Sequence, residues 1–256
     1  MELNLSTQFK ERMNQFIQSQ TESLNEKESC ISHRYKCSKC KDLTFIFDGK
    51  EVIPCKCKEK RETKAIYAQS GICDEFIYKK FGNFNYAYDL QIMEAFNTAK
   101  NYAKYFNSII KAKNNSIIFM GPEGCGKTHL SLAIANNLIN RGVGVVYMPY
   151  VETMDSLMES IEEREEYSKV INKYKEAKVL LIDDLFGGSI SDTEVKIMSD
   201  IIKHRYINNK AMIINSRKYM VDLSGIDDSV VDIILQICKG RNIEIKGSRL
   251  NYRVYG

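Results

Sequence analysis

The sequence predicts an α/β fold in which a parallel sheet is covered by helices on both faces. From residue 116 onwards, short and almost continuously apolar runs recur, as expected for strands that are buried on both sides. Helical segments separate these runs, and this alternation indicates a parallel sheet. A glycine-rich loop directly after the first run leads into a helix, which is the arrangement of a phosphate-binding site.

The spacing of apolar residues assigns the individual elements. We predict strands at residues 117–120, 143–148, 179–182, 211–214 and 243–245. We predict helical segments at residues 88–106, 130–138, 152–176, 192–206 and 229–238. Another amphipathic helical pattern lies near the amino terminus, and its apolar face consists of Leu5, Phe9, Met13, Phe16 and Ile17.

Length and composition limit the possible functions. At 256 residues the chain is long enough for one sizeable α/β core and a smaller module. No apolar run approaches the roughly 20 residues of a membrane span, and the first residues lack the pattern of a secretory signal. We therefore expect a cytoplasmic protein with no membrane partner. In that compartment clustered cysteines more often bind metal or do redox work than form disulfides.

The net charge of +4 is modest but unevenly distributed. Residues 31–80 carry 12 Lys or Arg against 7 Asp or Glu. Such a region is able to contact nucleic-acid phosphates or an acidic partner, and it is equally consistent with a plain solvated surface.

The loop GPEGCGKT matches the phosphate-binding pattern G-x-x-x-x-G-K-[ST] at every fixed position. Its glycines let backbone N–H groups turn towards phosphate oxygens, and the following helix adds the positive end of its dipole. Lys127 is expected to neutralise β- and γ-phosphate charge, and the Thr128 hydroxyl to ligate Mg²⁺. We therefore predict ATP with Mg²⁺ as the ligand. The predicted nucleotide-binding residues are Gly121, Pro122, Glu123, Gly124, Cys125 (through its backbone amide), Gly126, Lys127, Thr128 and His129.

Polar residues end two of the other predicted strands and complete the predicted catalytic set with Lys127. Asp183 and Asp184 follow the run 179–182, at the carboxyl edge where α/β sheets bind ligands. We expect Asp183 to hold Mg²⁺ through water and Asp184 to orient or deprotonate the attacking water, unless both only cap a turn. Asn215 follows the next strand, and it either reaches the γ-phosphate or is a turn residue, depending on the order of the strands.

Four cysteines form two close pairs, Cys37-x₂-Cys40 and Cys55-x-Cys57. Four thiolates in this arrangement are able to surround one tetrahedral Zn²⁺ ion. The 14 residues between the pairs are predicted to form a β-hairpin that turns at Asp48-Gly49, as in a zinc ribbon. The predicted zinc role is structural, and redox pairs or buried free cysteines are the competing interpretations.

The remaining cysteines are interpreted individually. Cys30 and His33 lie close enough in sequence to substitute as zinc ligands, but four cysteines already complete a site. Cys73 and Cys238 are isolated, and we expect both to be core residues.

Taken together, these features resemble the helicase-loader ATPases of the DnaC and DnaI type, a branch of the AAA+ proteins. The IstB-like transposition helpers share that ATPase domain. The resemblance covers roughly residues 36–253. It rests on the segments KCKDLTFI, PCKCKEKR, SGI, FGNF, GPEGCGKTHLSLAIANNL, LLIDDLF, HRYINNKAMII and CKGRNIEIKGSRLNYR. The carboxyl-terminal segments look especially like the loaders carried by bacteriophages of Gram-positive hosts.

The resemblance implies an ATPase that helps to place a hexameric replicative helicase on single-stranded DNA during replication initiation. It also implies self-association through the ATPase domain. Carried over by residue, Gly121 to Thr128 bind ATP, Asp183 and Asp184 serve metal and water, Asn215 senses the γ-phosphate, and the four cysteines hold zinc.

The resemblance also suggests three functional segments. Residues 1–30 are the candidate helicase-binding part, although their helix is equally able to dock onto its own domain. Residues 31–75 form the zinc module and a connector, and residues 76–256 form the AAA+ ATPase domain.

One departure from the family pattern concerns hydrolysis. Members usually carry Ser-Arg-Ile on the late helix, and the matching positions here are Asp232-Ile233-Ile234. Because Ile233 supplies neither charge nor a side-chain hydrogen bond, hydrolysis is expected to be weak or to use another arginine. Arg205 and Arg217 are the possible substitutes, and a non-hydrolysing adaptor is an alternative function.

The segment before the ATPase core offers both charge and aromatic rings for single-stranded DNA. The residues concerned are Lys79, Lys80, Phe81, Phe84, Tyr86 and Tyr88. We favour packing beside the nucleotide over DNA stacking for the aromatic residues, because FGNF resembles the family segment that opens the ATPase domain.

Overall fold

The computed structural model describes residue 15 and residues 35–47, 49, 51–247 and 250–255. It divides into two compact units, Met1–Lys58 and Glu59–Gly256. The predicted functional segments 1–30, 31–75 and 76–256 use other boundaries and stay predictions. Several predicted features lie outside the described residues, namely the apolar face from Leu5 to Ile17, Cys30, His33 and Asp48.

The described residues of the first unit contain a β-hairpin. Strands β1 (Phe45–Phe47) and β2 (Val52–Pro54) pair antiparallel, with Phe45 opposite Pro54 and Phe47 opposite Val52. Between them Gly49 has a φ of 94°, which glycine adopts without steric cost. The predicted hairpin between the cysteine pairs is therefore confirmed.

The second unit is built on a five-stranded parallel sheet. Its strands are β3 (Ile117–Met120), β4 (Val145–Pro149), β5 (Val179–Asp183), β6 (Ala211–Ser216) and β7 (Asn242–Glu244). Their order across the sheet is β4-β5-β6-β3-β7, and all neighbours are parallel. Since β6 lies between β3 and β5, the ends of these three strands meet at one edge of the sheet.

Helices lie before and between these strands. They are α1 (Cys57–Ser70), α2 (Asp74–Ile77), α3 (Leu90–Ile109), α4 (Lys127–Asn140), α5 (Tyr150–Glu159), α6 (Arg164–Glu176), α7 (Asp192–Ile207), α8 (Met220–Ser224), α9 (Asp228–Ile237) and α10 (Tyr252–Tyr255), with a short 3₁₀ helix at Phe81–Asn83. No helix in the described part of the chain is long and apolar enough to cross a membrane.

Alternate side chains of the central strands enter two different cores, as the pleat of a strand requires. Ile117 and Phe119 lie in a core with side chains of α3 and α4. Ile118 and Met120 lie in a second core with side chains of α5, α6, α7 and α9. Both faces of the sheet are covered, which explains the continuous apolar runs and confirms the predicted fold class.

Local side-chain chemistry sets the helix boundaries. The Asp89 carboxylate accepts the N–H groups of Gln91 and Ile92 at 2.7 and 3.2 Å, so α3 begins after Asp89 rather than at residue 88. The charged stretch predicted at 152–176 is two helices, α5 and α6, separated at residues 160–163. A continuous helix would place Glu159 near Glu163 and Glu162 near Glu166, and such like-charge pairs are destabilising.

Candidate functional site

The phosphate-binding loop joins β3 to α4 and has a backbone that only glycine accommodates. Gly121, Gly124 and Gly126 have φ values of 150°, 78° and 95°. A Cβ atom on Gly126 would lie 2.7 Å from the ring of Phe84, and one on Gly121 would lie 2.5 Å from the carbonyl oxygen of Ile245. Because the loop has glycine at each of these turns, no side chain prevents its backbone from approaching a phosphate.

Lys127 is buried at the first turn of α4. Its Nζ donates hydrogen bonds to the carbonyl oxygens of Gly121 and Pro122, both at 2.8 Å. Burial lowers the pKa of Lys127, while Cys125, Asp184 and Asp183 act in the opposite direction. Because a desolvated ammonium is stabilised by an added negative charge, this position is suited to a phosphate group.

The carboxylate of Asp183, at the end of β5, is the centre of a hydrogen-bond network. Thr128 Oγ1 donates to its Oδ1 at 2.9 Å, and Tyr147 Oη donates to its Oδ2 at 3.0 Å. Burial and the neighbouring Asp183 raise the pKa of Tyr147, which keeps the phenol protonated as a donor. A hydroxyl and a carboxylate oxygen are ligands that Mg²⁺ takes, so Thr128 and Asp183 fit this ion.

Asn215 connects the network to the middle of the sheet. Its Nδ2 donates to Asp183 Oδ1 at 2.6 Å, and its Oδ1 accepts the hydroxyl of Ser131 from α4. The side chain is buried and nevertheless reaches the same cavity as Thr128. This contact follows from the position of β6 between β3 and β5, the strand order on which the predicted role depended.

Asp184, the second carboxylate, forms a bidentate ion pair with Arg217. Arg217 Nε donates to Asp184 Oδ1 at 2.9 Å, and Arg217 Nη2 donates to Oδ2 at 2.5 Å. The fork geometry matches the planar guanidinium to both carboxylate oxygens. Asp184 raises the pKa of Arg217.

These groups line one cavity of about 850 Å³. The predicted site residues that line it are Glu123, Gly124, Gly126, Lys127, Thr128, His129, Asp183, Asp184 and Asn215. Gly121 and Pro122 contribute carbonyl oxygens to the base of the loop, and Cys125 is fully buried there, where burial raises the pKa of its thiol. The structure thus brings the predicted loop and both strand ends together, while the role of each residue stays a prediction.

His129 and the aromatic residues before α3 form one packed edge of the cavity. His129 Nε2 lies 3.0 Å from the carbonyl oxygen of Lys80, and burial lowers the pKa of its ring. Phe84 and Tyr86 stack on Phe96 with centroid separations of 5.9 and 4.2 Å. These contacts agree with the packing role that we favoured over DNA stacking.

Two expectations about single residues are wrong. Cys73 is exposed, because it precedes α2 while its neighbour Ile72 takes the core position; Cys238 is buried as expected. Arg205 is fully buried, and its guanidinium donates to the carbonyl oxygens of Tyr174, Lys175, Ala177 and Ala211. Its hydrogen bonds link α6, α7 and β6, so it cannot replace the missing late-helix arginine at the nucleotide.

Ile233 occupies a position that fits its apolar character. It is half-buried on α9 and packs against the second core. This side chain contributes to packing where the family pattern has an arginine.

The four predicted zinc ligands converge in the first unit. The sulfur atoms of Cys37, Cys40, Cys55 and Cys57 all lie within 4.8 Å of one another. The Cys37–Cys55 and Cys40–Cys57 separations are 3.8 and 3.3 Å. Tetrahedral zinc with bonds of about 2.3 Å separates its sulfurs by about 3.8 Å, so these residues fit a zinc ion. A backbone hydrogen bond from Cys40 lowers the pKa of Cys37 to about 6, whereas a side-chain hydrogen bond with Cys40 raises the pKa of Cys57 to about 12.

Sequence reasoning did not single out three residues that support the cavity. Tyr147 and Ser131 hold Asp183 and Asn215, and the backbone N–H of Tyr252 donates to Gly124 O at 3.1 Å. Each contact joins segments distant in sequence. Only the strand order would have pointed to Tyr147, which lies on β4 beside β5.

Comparisons with known proteins agree with this architecture. A family model described as IstB-like ATP binding protein matches residues 80–250. The chain is 34% identical over 209 residues to the Bacillus subtilis protein YqaM, covering 78% of this chain and 66% of that protein. It is 32% identical over 236 residues to the Bacillus subtilis phage-like element PBSX protein XkdC, covering 87% of this chain and 88% of that protein.

Solved structures share the fold. The crystal structure of DnaI superposes with a TM-score of 0.60 at 22% identity, covering 69% of this chain and 95% of that one. The crystal structure of the DnaC helicase loader gives a TM-score of 0.57 at 22% identity, covering 68% of this chain and 100% of that one.

Proposed function

Because the chain belongs to the IstB/DnaC family of AAA+ ATP-binding proteins, we propose that it is an ATP-dependent loader of a replicative DNA helicase. Members of this family are generally ATPases. In this proposal the chain binds a hexameric helicase, self-associates through its ATPase domain and helps to place the helicase on single-stranded DNA. The likeness to solved helicase loaders and to a phage-like element protein supports this over a role in transposition.

One observation carries the nucleotide part of the proposal. Thr128 from the phosphate-binding loop and Asn215 from β6 both contact the same oxygen of Asp183, at 2.9 and 2.6 Å. Three segments distant in sequence thereby form one polar site beside the buried Lys127.

In the proposed reaction each residue has a separate task. Lys127 binds β- and γ-phosphate oxygens, and Thr128 and Asp183 hold Mg²⁺. Asn215 and Tyr147 orient the Asp183 carboxylate, and Asp184 accepts a proton from the attacking water. When bound, Mg²⁺ neutralises charge that develops on the phosphate oxygens.

Residues outside the nucleotide-binding cavity supply the partner contacts in this proposal. The four-cysteine module holds a structural zinc ion, and residues 1–30 bind the helicase.

A second candidate function, an ATP-switched adaptor that does not hydrolyse ATP, is favoured by Ile233. Its packed position supplies no arginine from the late helix. Multiple-turnover phosphate release, measured with helicase and single-stranded DNA, distinguishes the two functions. The loader is expected to release phosphate well above a Lys127→Ala control, and release equal to that control would favour the adaptor.

A further inference from the structure

The two carboxylates that end β5 are each held by a side chain from the end of β6. Asn215 donates to Asp183, and Arg217 donates to both oxygens of Asp184. Further contacts fasten the same two segments, since Leu185 N–H donates to Asn215 O at 2.7 Å and Ser216 Oγ donates to Leu185 O at 3.0 Å. These contacts fasten the segment after β5 to the end of β6.

The backbone of Asp184 is held in a turn by contacts that do not involve Arg217. Its φ is 62°, in the left-handed region that aspartate tolerates better than most residues. Its carbonyl oxygen accepts the N–H of Gly187 at 2.8 Å, and any Cβ atom on Gly187 would clash with its carboxylate. The turn thus fixes the backbone from which the carboxylate extends.

Arg217, in contrast, has an exposed side chain that borders the cavity and is able to exchange one hydrogen-bond acceptor for another. Its side chain is 47% exposed and lines the cavity that contains Lys127 and Thr128. Asp184 raises the pKa of Arg217, and the charge of Glu123 in the phosphate-binding loop acts in the same direction. Arg205 shows the opposite arrangement, because it is buried and its Nη1 and Nη2 atoms donate to backbone carbonyl oxygens.

We propose that Arg217 senses the terminal phosphate of ATP by exchanging Asp184 for that phosphate. This inference rests on the proposed function, because it requires ATP in the same cavity. In the ion pair the guanidinium occupies both carboxylate oxygens of Asp184, the atoms through which this side chain would contact the attacking water. Transfer of Arg217 to the phosphate releases Asp184 to act as the base.

The exchange defines the hydrolytic step. The oxygen of water bonds to the γ-phosphorus, and the bond from that phosphorus to the β,γ-bridging oxygen breaks. The bonding electron pair leaves with ADP, and the proton of water passes to Asp184. Arg217 then supplies in the same subunit the positive charge that Ile233 does not provide.

The test compares the affinities for a non-hydrolysable ATP analogue and for ADP, both with Mg²⁺, by calorimetric titration. Arg217→Ala is expected to weaken analogue binding about tenfold, the size of one charge-assisted hydrogen bond, and to change ADP binding less than about twofold. Asp184→Asn is expected to strengthen analogue binding severalfold relative to ADP, because it removes the competitor for Arg217. In the double variant Arg217→Ala/Asp184→Asn, the ratio of the analogue affinity to the ADP affinity should equal the ratio in Arg217→Ala alone.

Controls separate this inference from the proposed function. Lys203→Ala removes an exposed cation of α7 outside the cavity and should leave both affinities unchanged. An unchanged analogue-to-ADP ratio in Arg217→Ala, or no rise in Asp184→Asn, would overturn the exchange while leaving the function intact. Nucleotide binding that is absent, or that survives Lys127→Ala, would overturn both.

Discussion

At the residue scale, two side chains of the same type have different roles because they differ in burial and in hydrogen-bond partners. Arg205 and Arg217 are equivalent substitutes for a missing arginine when only the sequence is considered. Burial and partners separate them, because Arg205 is buried and donates to backbone carbonyl oxygens, whereas Arg217 pairs with an acid in a cavity.

Replacement of Arg205 by Ala is expected to destabilise the protein. The change leaves four buried carbonyl oxygens without their donor and creates a cavity, which together should lower the free energy of unfolding by about 3–5 kcal/mol. Denaturant unfolding measures this loss. Arg217→Ala is the matched control, and it should cost less than about 1 kcal/mol because its ion pair is half-exposed. Wild-type stability together with reduced turnover in Arg205→Ala would contradict the structural role.

Local motifs made part of the site predictable. The glycine pattern and the paired aspartates are continuous in sequence, so Lys127, Thr128 and Asp183 could be named in advance. The contacts of Asp183 with Tyr147 and Asn215 depend on which strands are neighbours, and sequence spacing does not determine that order.

At the element scale, apolar periodicity predicted the strands and most helices because burial imposes it. The apolar periodicity did not predict the structure correctly at two places. The charged stretch forms two helices, α5 and α6, in a sequence where one continuous helix would bring glutamates together, and Ile72 takes the core position that we had assigned to its neighbour Cys73.

The cysteine hairpin gives a testable prediction at this scale. Purified protein is expected to contain one zinc ion per chain, and Cys57→Ser should abolish it because three thiolates leave the tetrahedral site open. Metal analysis measures the content. Cys73→Ser removes an exposed thiol outside the cluster and should retain full zinc. Equal zinc content in the two variants would refute the four-cysteine site.

At the scale of the whole molecule, the fold places both polar strand ends and the phosphate-binding loop at one edge of the sheet. The family shares this ATPase domain, so the domain by itself does not select the partner. In our proposal that choice belongs to the segments before it, of which residues 1–30 lie outside the described residues.

The central claim is that this ATPase domain acts on a replicative helicase, and a pull-down tests it most directly. The intact protein and a variant without residues 1–30 are used as bait in a lysate of the bacterium that carries the gene, with ATP and Mg²⁺ present. Mass spectrometry identifies the captured proteins. We expect the hexameric replicative helicase to be recovered with the intact protein and lost with the truncated one. Capture of a transposase in place of the helicase would contradict it.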